Sequence, residues 1–516
     1  MDPGRQGVGS EGGLIDTLAG RPSWALRLQS APGLLALLAL WLLCTAGLRP
    51  LLLPDEGRYA AVAREMLVGD WLVPTLNGLP FFHKPPLMYW IDIAAMQLFG
   101  ATAFAARFGP LVGAWLMGSA LFLALRRWHG TRVATLALGV LATCPFFFIA
   151  AQYANHDMLV AGLVTVAVFA FVRALDEAPR LSKRWLVAAW VACALALLAK
   201  GLIGVVLPAL VVGPWLLAQR RWRDVLRLLH PLGLGAFVLV AAPWLVAMQW
   251  RYPGFFDYFI VEQHFRRYAQ SNFNNVHPFW FFIVVLPLLA LPWSGWLARG
   301  ARRLFHARPP LVGLYAWWVV AVVGFFSLPS SKLVGYVLPA VAPWCALIAL
   351  ALGTLDASPR AVRGTALLAA LIGVGTVLAI AWKAPGSHRA ASEVLGARLA
   401  AGARVAMVDD YLYDVPFYAR LAQPVAIASD WKDPDLPKHD NWRKELFDAA
   451  RFDPEKARAV LWPIGQLDAL ACGGRAVWFV VKAGQNARLK SVPGISMAYA
   501  DARTELWRAP GRSDCG

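Results

Sequence analysis

The chain has 516 residues, 59% of them hydrophobic and only 16% charged, well below the roughly 25% charge of a soluble globular domain. That composition excludes an ordinary soluble enzyme and predicts a polytopic α-helical membrane protein, whose unit is a stretch of about 20 apolar residues. A net charge of +18 would suggest nucleic acid in a soluble chain; here Lys and Arg cluster in short loops between apolar stretches, so the expected partner is a lipid bilayer and not nucleic acid.

Residues 1–31 are rich in Gly, Ser and Arg and read as a disordered cytoplasmic tail, with no cleavable signal before an apolar span that stays as an anchor. Residues 32–382 form the membrane part. Eleven spans are expected, at 32–50, 104–125, 132–151, 158–175, 184–199, 202–218, 229–250, 277–298, 311–327, 333–352 and 362–382. The segment Leu87–Phe99 is too short to cross and carries Asp92 and Gln97, so it reads as interfacial or partly re-entrant, for about 11–13 helices in all.

Arg-rich loops at residues 126–132, 180–184, 220–227, 299–308 and 360–363 recur at every second span, as the positive-inside rule requires of cytoplasmic loops. The remaining polar islands, at 54–86, 152–157, 200–201, 251–277 and 327–332, then share the outer face. Residues 51–103 form a periplasmic loop with interfacial helices.

Beyond residue 382 polar residues become frequent. Short apolar runs at Arg404–Val408, 425–428, 459–462 and 476–481 predict strands around a helix at 442–452, a small α/β periplasmic domain over 383–516. Cys44, Cys144, Cys193 and Cys345 lie in apolar spans, whereas Cys472 and Cys515 lie in this outer domain, where an oxidising compartment permits a disulfide between them.

The polar islands carry the candidate chemistry. Asp55 and Glu56 leave the first span together. They read either as caps of a helix over 57–67 or as carboxylates that orient an acceptor, act as base or hold a cation. Arg58 and Tyr59 follow on that helix, with a salt bridge to Asp55 as the plain alternative for Arg58. Lys84 stands behind the aromatic wall of Phe81 and Phe82 and before Pro85-Pro86, which presents its ammonium rigidly to a phosphate, against simple snorkelling. Asp157 is either the cap of the helix after it or a functional acid. Lys200, with only Gly201 as a turn, is a near-buried cation that requires an anion. Glu262, His264, Arg266 and Arg267 share one loop, and Lys332 and Tyr336 lie in another. Lys, Arg, Asp and His gathered at one membrane face suggest a phosphorylated lipid bearing a group to be transferred.

Asp55-Glu56-Gly57-Arg58-Tyr59, Gly69-Asp70-Trp71-Leu72-Val73-Pro74, Asn77-Gly78 and Lys84-Pro85-Pro86-Leu87 with Tyr89-Trp90 closely resemble the membrane glycosyltransferases that include bacterial aminoarabinose transferases and protein mannosyltransferases. Later segments, Phe104-Ala105-Ala106-Arg107, Ala199-Lys200-Gly201, residues 262–268 and 331–339, look like later family motifs, so the resemblance covers residues 32–350. It implies a GT-C fold, a polyprenyl-phosphate sugar donor and, in the aminoarabinose branch, lipid A as acceptor. It also implies that Lys84, Arg267 and Tyr336 hold the donor phosphate; Arg266, Lys200 and Lys332, cations of the same face, are further candidates for holding it. Asp55, Glu56 and Asp157 would be the catalytic acids, with Arg58, Tyr59 and Phe82 on the sugar or acceptor side. Family members often carry Glu before Lys-Pro-Pro, where this chain has His83; His83 and His264 are thus the ligands for a divalent metal, zinc or magnesium, if one is used.

The reaction so implied is an inverting displacement at the anomeric carbon. An ionised lipid A phosphate needs no strong base, so Asp55 orients it; a hydroxyl acceptor makes Asp55 the general base. Two other readings stay open: transfer to protein or another envelope glycan, and a transporter or flippase for the lipid-linked sugar, which requires a polar path that charges on one face do not supply.

Overall fold

A computed structural model describes residues 30–176, 179–266, 275–438, 440–472 and 474–512. The first apolar segment forms helix α1, Ala31–Leu43, capped by the Ser30 hydroxyl, which accepts from the Gly33 amide at 3.3 Å. The chain then turns through residues 44–54 into α2, Asp55–Val68. A two-stranded hairpin follows, β1 (Thr75–Leu76) and β2 (Leu79–Pro80). Its Asn77-Gly78 corner has φ of 53° and 76°, the positive values a type I′ turn demands and these two residue types tolerate. Helix α3, Leu87–Phe99, is the short apolar segment read as interfacial.

The two spans expected at 104–125 and 132–151 meet in α4, Phe108–Thr143, which breaks at Gly130, where φ is 84°; a side chain there would strain the backbone. The second of these spans is itself interrupted at Cys144 before α5, Pro145–Ala151. Next come α6 (His156–Ala174), α7 (Lys183–Lys200), α8 (Ile203–Ala218), α9 (Trp222–Leu228) and α10 (Pro231–Arg251). Helices α4 and α6 pack backbone to backbone: a Cβ on Gly162 would lie 2.0 Å from the Gly113 carbonyl. Asp257–Arg266 is a π-helical segment where the sequence suggested only a loop.

The expected span 277–298 is not one helix. It splits into α11, Phe281–Leu289, and α12, Ser294–Ala307, bent by 107°. The second arm carries Arg299, Arg302 and Arg303, which an interfacial position suits and a spanning one does not. Helices α13 (Val312–Ser327), α14 (Val341–Thr354, preceded by a 3-10 turn Val334–Ala340) and α15 (Pro359–Lys383) complete the membrane part. By length and composition five helices among the described residues can cross a bilayer, six with the bent pair, and other apolar helices are shorter. The protein is a polytopic α-helical membrane protein whose spans are frequently broken.

The C-terminal part begins with α16 (Arg389–Arg398) and β3 (Arg404–Val408), then α17 (Val415–Tyr418), β4 (Ala426–Ser429), α18 (Trp442–Ala450), α19 (Pro454–Val460), β5 (Leu461–Pro463), α20 (Leu467–Leu470), β6 (Val477–Lys482), β7 (Ser496–Ala500) and β8 (Thr504–Ala509). The sheet order is β5-β4-β3-β6-β8-β7, parallel from β5 to β6 and antiparallel beyond. The four predicted strands are the parallel ones, and the apolar runs of β3, β4 and β6 are mostly buried. The antiparallel pair, including the exposed and bulged β7, lacks such a run. Cys472 is disulfide-bonded; Cys515, its expected partner, lies outside the described residues.

Polar bonds seat this domain on the loop between α1 and α3. The Leu51 amide donates to the Tyr418 hydroxyl at 2.8 Å, Arg64 to the Leu421 carbonyl at 2.8 Å, and Asn77 exchanges two bonds with Val425 at 2.9 and 2.7 Å.

Candidate active site

Asp55 and Glu56 open α2 and point in opposite directions. Glu56 is fully buried. Its carboxylate accepts from Arg107 Nε at 2.9 Å, from the Leu52 and Ala154 amides at 2.8 and 2.7 Å, and from Arg49. Burial alone would raise this carboxyl, but Arg107 and Arg49 outweigh it and hold it down at about 2. Every lone pair is engaged, so the geometry makes Glu56 a clamp between α1, α2 and α4. It departs from the catalytic role drawn from the sequence.

Asp55 does not cap α2: Pro54 holds that position without a side-chain bond. Its carboxylate instead receives Arg58 and, at 3.4 Å, the Tyr153 hydroxyl. Arg58 also bonds Glu445 of α18 and lies 5.0 Å over the Tyr59 ring and 5.6 Å over Tyr413. The salt-bridge reading of Arg58 is therefore present, and a second carboxylate shares it. Burial would lower the Arg58 pKa, but Glu445 reverses the effect and keeps the guanidinium charged.

Asp157 is not a cap either. Asn155 caps α6, accepting from the Asp157 amide at 2.9 Å, which leaves the Asp157 carboxylate to pair with Lys200 from the end of α7. Lys200 also lies 4.8 Å over the Tyr336 ring. The anion that Lys200 required is thus Asp157. Gly335 makes the approach feasible, because a Cβ there would fall 2.2 Å from an Asp157 oxygen.

These groups line one cavity of about 560 Å³. Asp55, Arg58, Tyr59, His83, Lys84, Asp157, Lys200 and Tyr336 face it from the membrane part; Asp410, Tyr413, Asp440, Glu445, His388 and Lys482 roof it from the C-terminal domain. The Lys482 ammonium meets Asp410 at 2.5 Å. Burial, reinforced by Lys482, pushes His388 down to about 4, so its ring is neutral at pH 7 and bonds Thr504 at 2.8 Å. A larger hollow of about 1330 Å³ lies toward Phe104 and Gly402 and contains none of these acids.

Other expected residues lie elsewhere. Phe82 is buried among Tyr252, Phe255 and Phe452, with ring centroids 5.1, 5.0 and 4.9 Å away. It is not part of the cavity lining. Lys332 is buried and donates to the carbonyls of His277, at 2.9 Å, and Pro329, bracing its own loop where a phosphate contact was expected. Arg266 is exposed and lies 3.7 Å from Glu262, and the cavity lining does not include it. Arg267 and the side chain of His264 lie outside the described residues. His83 stacks on Phe81 at 4.6 Å, and among the described residues no three His, Cys, Asp or Glu gather as metal ligands.

The roof residues were not singled out from the sequence. Glu445 and Asp410 sit in an ordinary soluble-domain helix and loop, and no spacing tied them to Asp55. His156 was passed over as well: it is buried, edge-on to Tyr59 at 4.5 Å and Tyr89 at 5.3 Å.

The family model described as dolichyl-phosphate-mannose-protein mannosyltransferase matches residues 31–259. The chain is 36% identical to an undecaprenyl phosphate-alpha-4-amino-4-deoxy-L-arabinose arabinosyl transferase of Erwinia tasmaniensis over 351 residues, 66% of this chain and 63% of the relative. It is 36% identical to arabinosyl transferase 2 of the same description from Sodalis glossinidius, over 69% of this chain and 65% of the relative. It thus spans less than two thirds of the length of these curated relatives. In three dimensions it is similar to ArnT from Cupriavidus metallidurans bound to undecaprenyl phosphate, with a TM-score of 0.79 and 23% identity over 94% of this chain and 98% of that one. The chain shares the fold of that structure.

Proposed function

We propose that this protein transfers 4-amino-4-deoxy-L-arabinose from undecaprenyl phosphate to a phosphate of lipid A, at the periplasmic face of the bacterial inner membrane. The observation that carries the reading is the joining of cations and carboxylates in one cavity, together with the activity for which the relatives are named. Lys84 and Lys200, with Tyr336, take the donor phosphate. As the bond from anomeric carbon to phosphate oxygen breaks, charge grows on the leaving phosphate, and cations already in place stabilise that transition state more than the ground state. Asp55, fixed by Arg58 and Tyr153, lies on the acceptor side, where it orients the attacking phosphate oxygen. A lipid-linked donor needs no nucleotide site, and attack opposite the leaving group inverts the anomeric centre.

The match to the mannosyltransferase model favours a second reading, a protein hydroxyl as acceptor, in which Asp55 takes its proton. The lipid A mass spectrum of a strain lacking the gene, complemented with wild type, Asp55→Asn or Lys84→Ala, separates the two. The expected result is an added aminoarabinosyl mass with wild type only. Modified lipid A with both variants, or a modified protein with unmodified lipid A, contradicts the first reading.

A further inference from the structure

We propose that Glu445 of the C-terminal domain is a positioning residue for the transfer reaction, acting on Asp55 through Arg58. The proposal rests on the functional reading above. Arg58 places one Nη on Asp55 and the other on Glu445, so a single cation is divided between a carboxylate of the membrane part and one of the roof. Glu445 is fixed independently of Arg58: the Tyr413 hydroxyl donates to its other oxygen at 2.6 Å, and α18 is anchored at its start by Asn441, which accepts from the Arg443 and Lys444 amides at 3.0 and 3.2 Å. Arg58 itself is sandwiched between the rings of Tyr59 and Tyr413.

A guanidinium is a rigid planar fork. Pinning one side to a buried acid therefore fixes where the other side presents its N–H groups, and with them the Asp55 carboxylate. Tyr153 bounds Asp55 from the opposite side at 3.4 Å. The triad of two carboxylates and one guanidinium keeps a net negative charge, so Asp55 is oriented without being fully neutralised. Without Glu445, the whole of Arg58 turns to Asp55 and the carboxylate is both displaced and masked. The C-terminal domain is then a working part of the active site, and the membrane part alone does not hold Asp55 in place.

The test uses the full-length protein in proteoliposomes, with undecaprenyl-phosphate aminoarabinose as donor and lipid A as acceptor. Glu445→Gln is expected to lower kcat about a hundredfold, the scale of a small misplacement of a reacting group, with the donor KM within about twofold. Glu445→Asp is expected to recover part of the rate. Combined with Asp55→Asn, Glu445→Gln is expected to add almost nothing, because residues acting through one contact are not additive. Tyr413→Phe, which frees one side of Glu445 and keeps its charge, covers the case in which Glu445→Gln fails to fold, and is expected to give a smaller loss that Asp55→Asn again absorbs. An unchanged kcat, a loss confined to KM, or losses that multiply with that of Asp55→Asn overturn the proposal. If wild type transfers nothing from this donor, the functional reading fails. Cryo-EM maps of wild type and Glu445→Gln then decide the positioning claim alone: Arg58 and Asp55 unmoved overturn it, and both shifted support it.

Discussion

Asp157 at the start of α6 and Lys200 at the end of α7 form an ion pair that lines the 560 Å³ cavity, with the Lys200 ammonium 4.8 Å over the ring of Tyr336. Neither residue is near the other in sequence, and each is nearly inaccessible to solvent. Removing one partner leaves a buried charge uncompensated, at a cost of about 3–5 kcal/mol. Lys200→Met and Asp157→Asn are each expected to lower the unfolding temperature in detergent, and the double variant to recover much of it without recovering transfer. Thermal unfolding and a transfer assay on the same three preparations check this.

Gly335 tests the same pair without touching a charge. An added methyl would begin 2.2 Å from an Asp157 oxygen, so the carboxylate must turn aside. Gly335→Ala is expected to fold, since the atoms it meets are those of one side chain and not backbone, and to lose about a hundredfold in transfer rate. A variant with the wild-type rate would show that the position of Asp157 does not matter to the reaction.

Asp55 and Glu56 are neighbours with opposite fates. Glu56→Gln leaves Arg49 and Arg107 buried without the carboxylate they share, and is expected to destabilise the protein by about 3–5 kcal/mol. Asp55→Asn is expected to leave the unfolding temperature near wild type and to lower transfer to a small residual rate. Thermal unfolding of the two variants side by side distinguishes a clamp from a working acid.

Glu65 gives a pH signature. Burial raises its carboxyl to about 7 from an ordinary 4.5, against the opposing Gly78 and Asn77 amides, which donate to it at 2.9 and 2.7 Å. Between those two values the folded protein holds a proton that the unfolded chain has released. Its contribution to stability is therefore complete below about 4.5 and is lost as pH rises through 7. Glu65→Gln is expected to flatten the fall in unfolding temperature between pH 5 and pH 8; an equally steep fall in the variant would exclude Glu65 as its source.

Much of the membrane part was legible in the sequence because lipid imposes a single rule, long apolar runs with positive loops inside. That rule read α6, α7, α8, α10, α13 and α15 closely, and it placed Asp55, Lys84, Asp157 and Lys200 on one face. It failed where a helix breaks for reasons other than hydropathy, as at Gly130 and between α11 and α12. Side-chain direction was not legible. Adjacent Asp55 and Glu56 carry the same charge, and only the tertiary positions of Arg49 and Arg107 decide that one is a clamp. Lys332 appeared as a cation at the outer face, but the carbonyls of His277 and Pro329 turn it inward. The roof was invisible because Glu445 meets Arg58 across 387 residues, and nothing local to a soluble helix marks such a partner.

The most direct measurement is a reconstituted transfer from purified undecaprenyl-phosphate aminoarabinose to lipid A, with both products followed by mass spectrometry. The account predicts that each lipid A molecule gaining an aminoarabinosyl group is matched by one undecaprenyl phosphate released, and that Lys84→Ala and Asp55→Asn lower both together. Release of undecaprenyl phosphate without modified lipid A, or movement of intact donor across the membrane with no transfer, would contradict it.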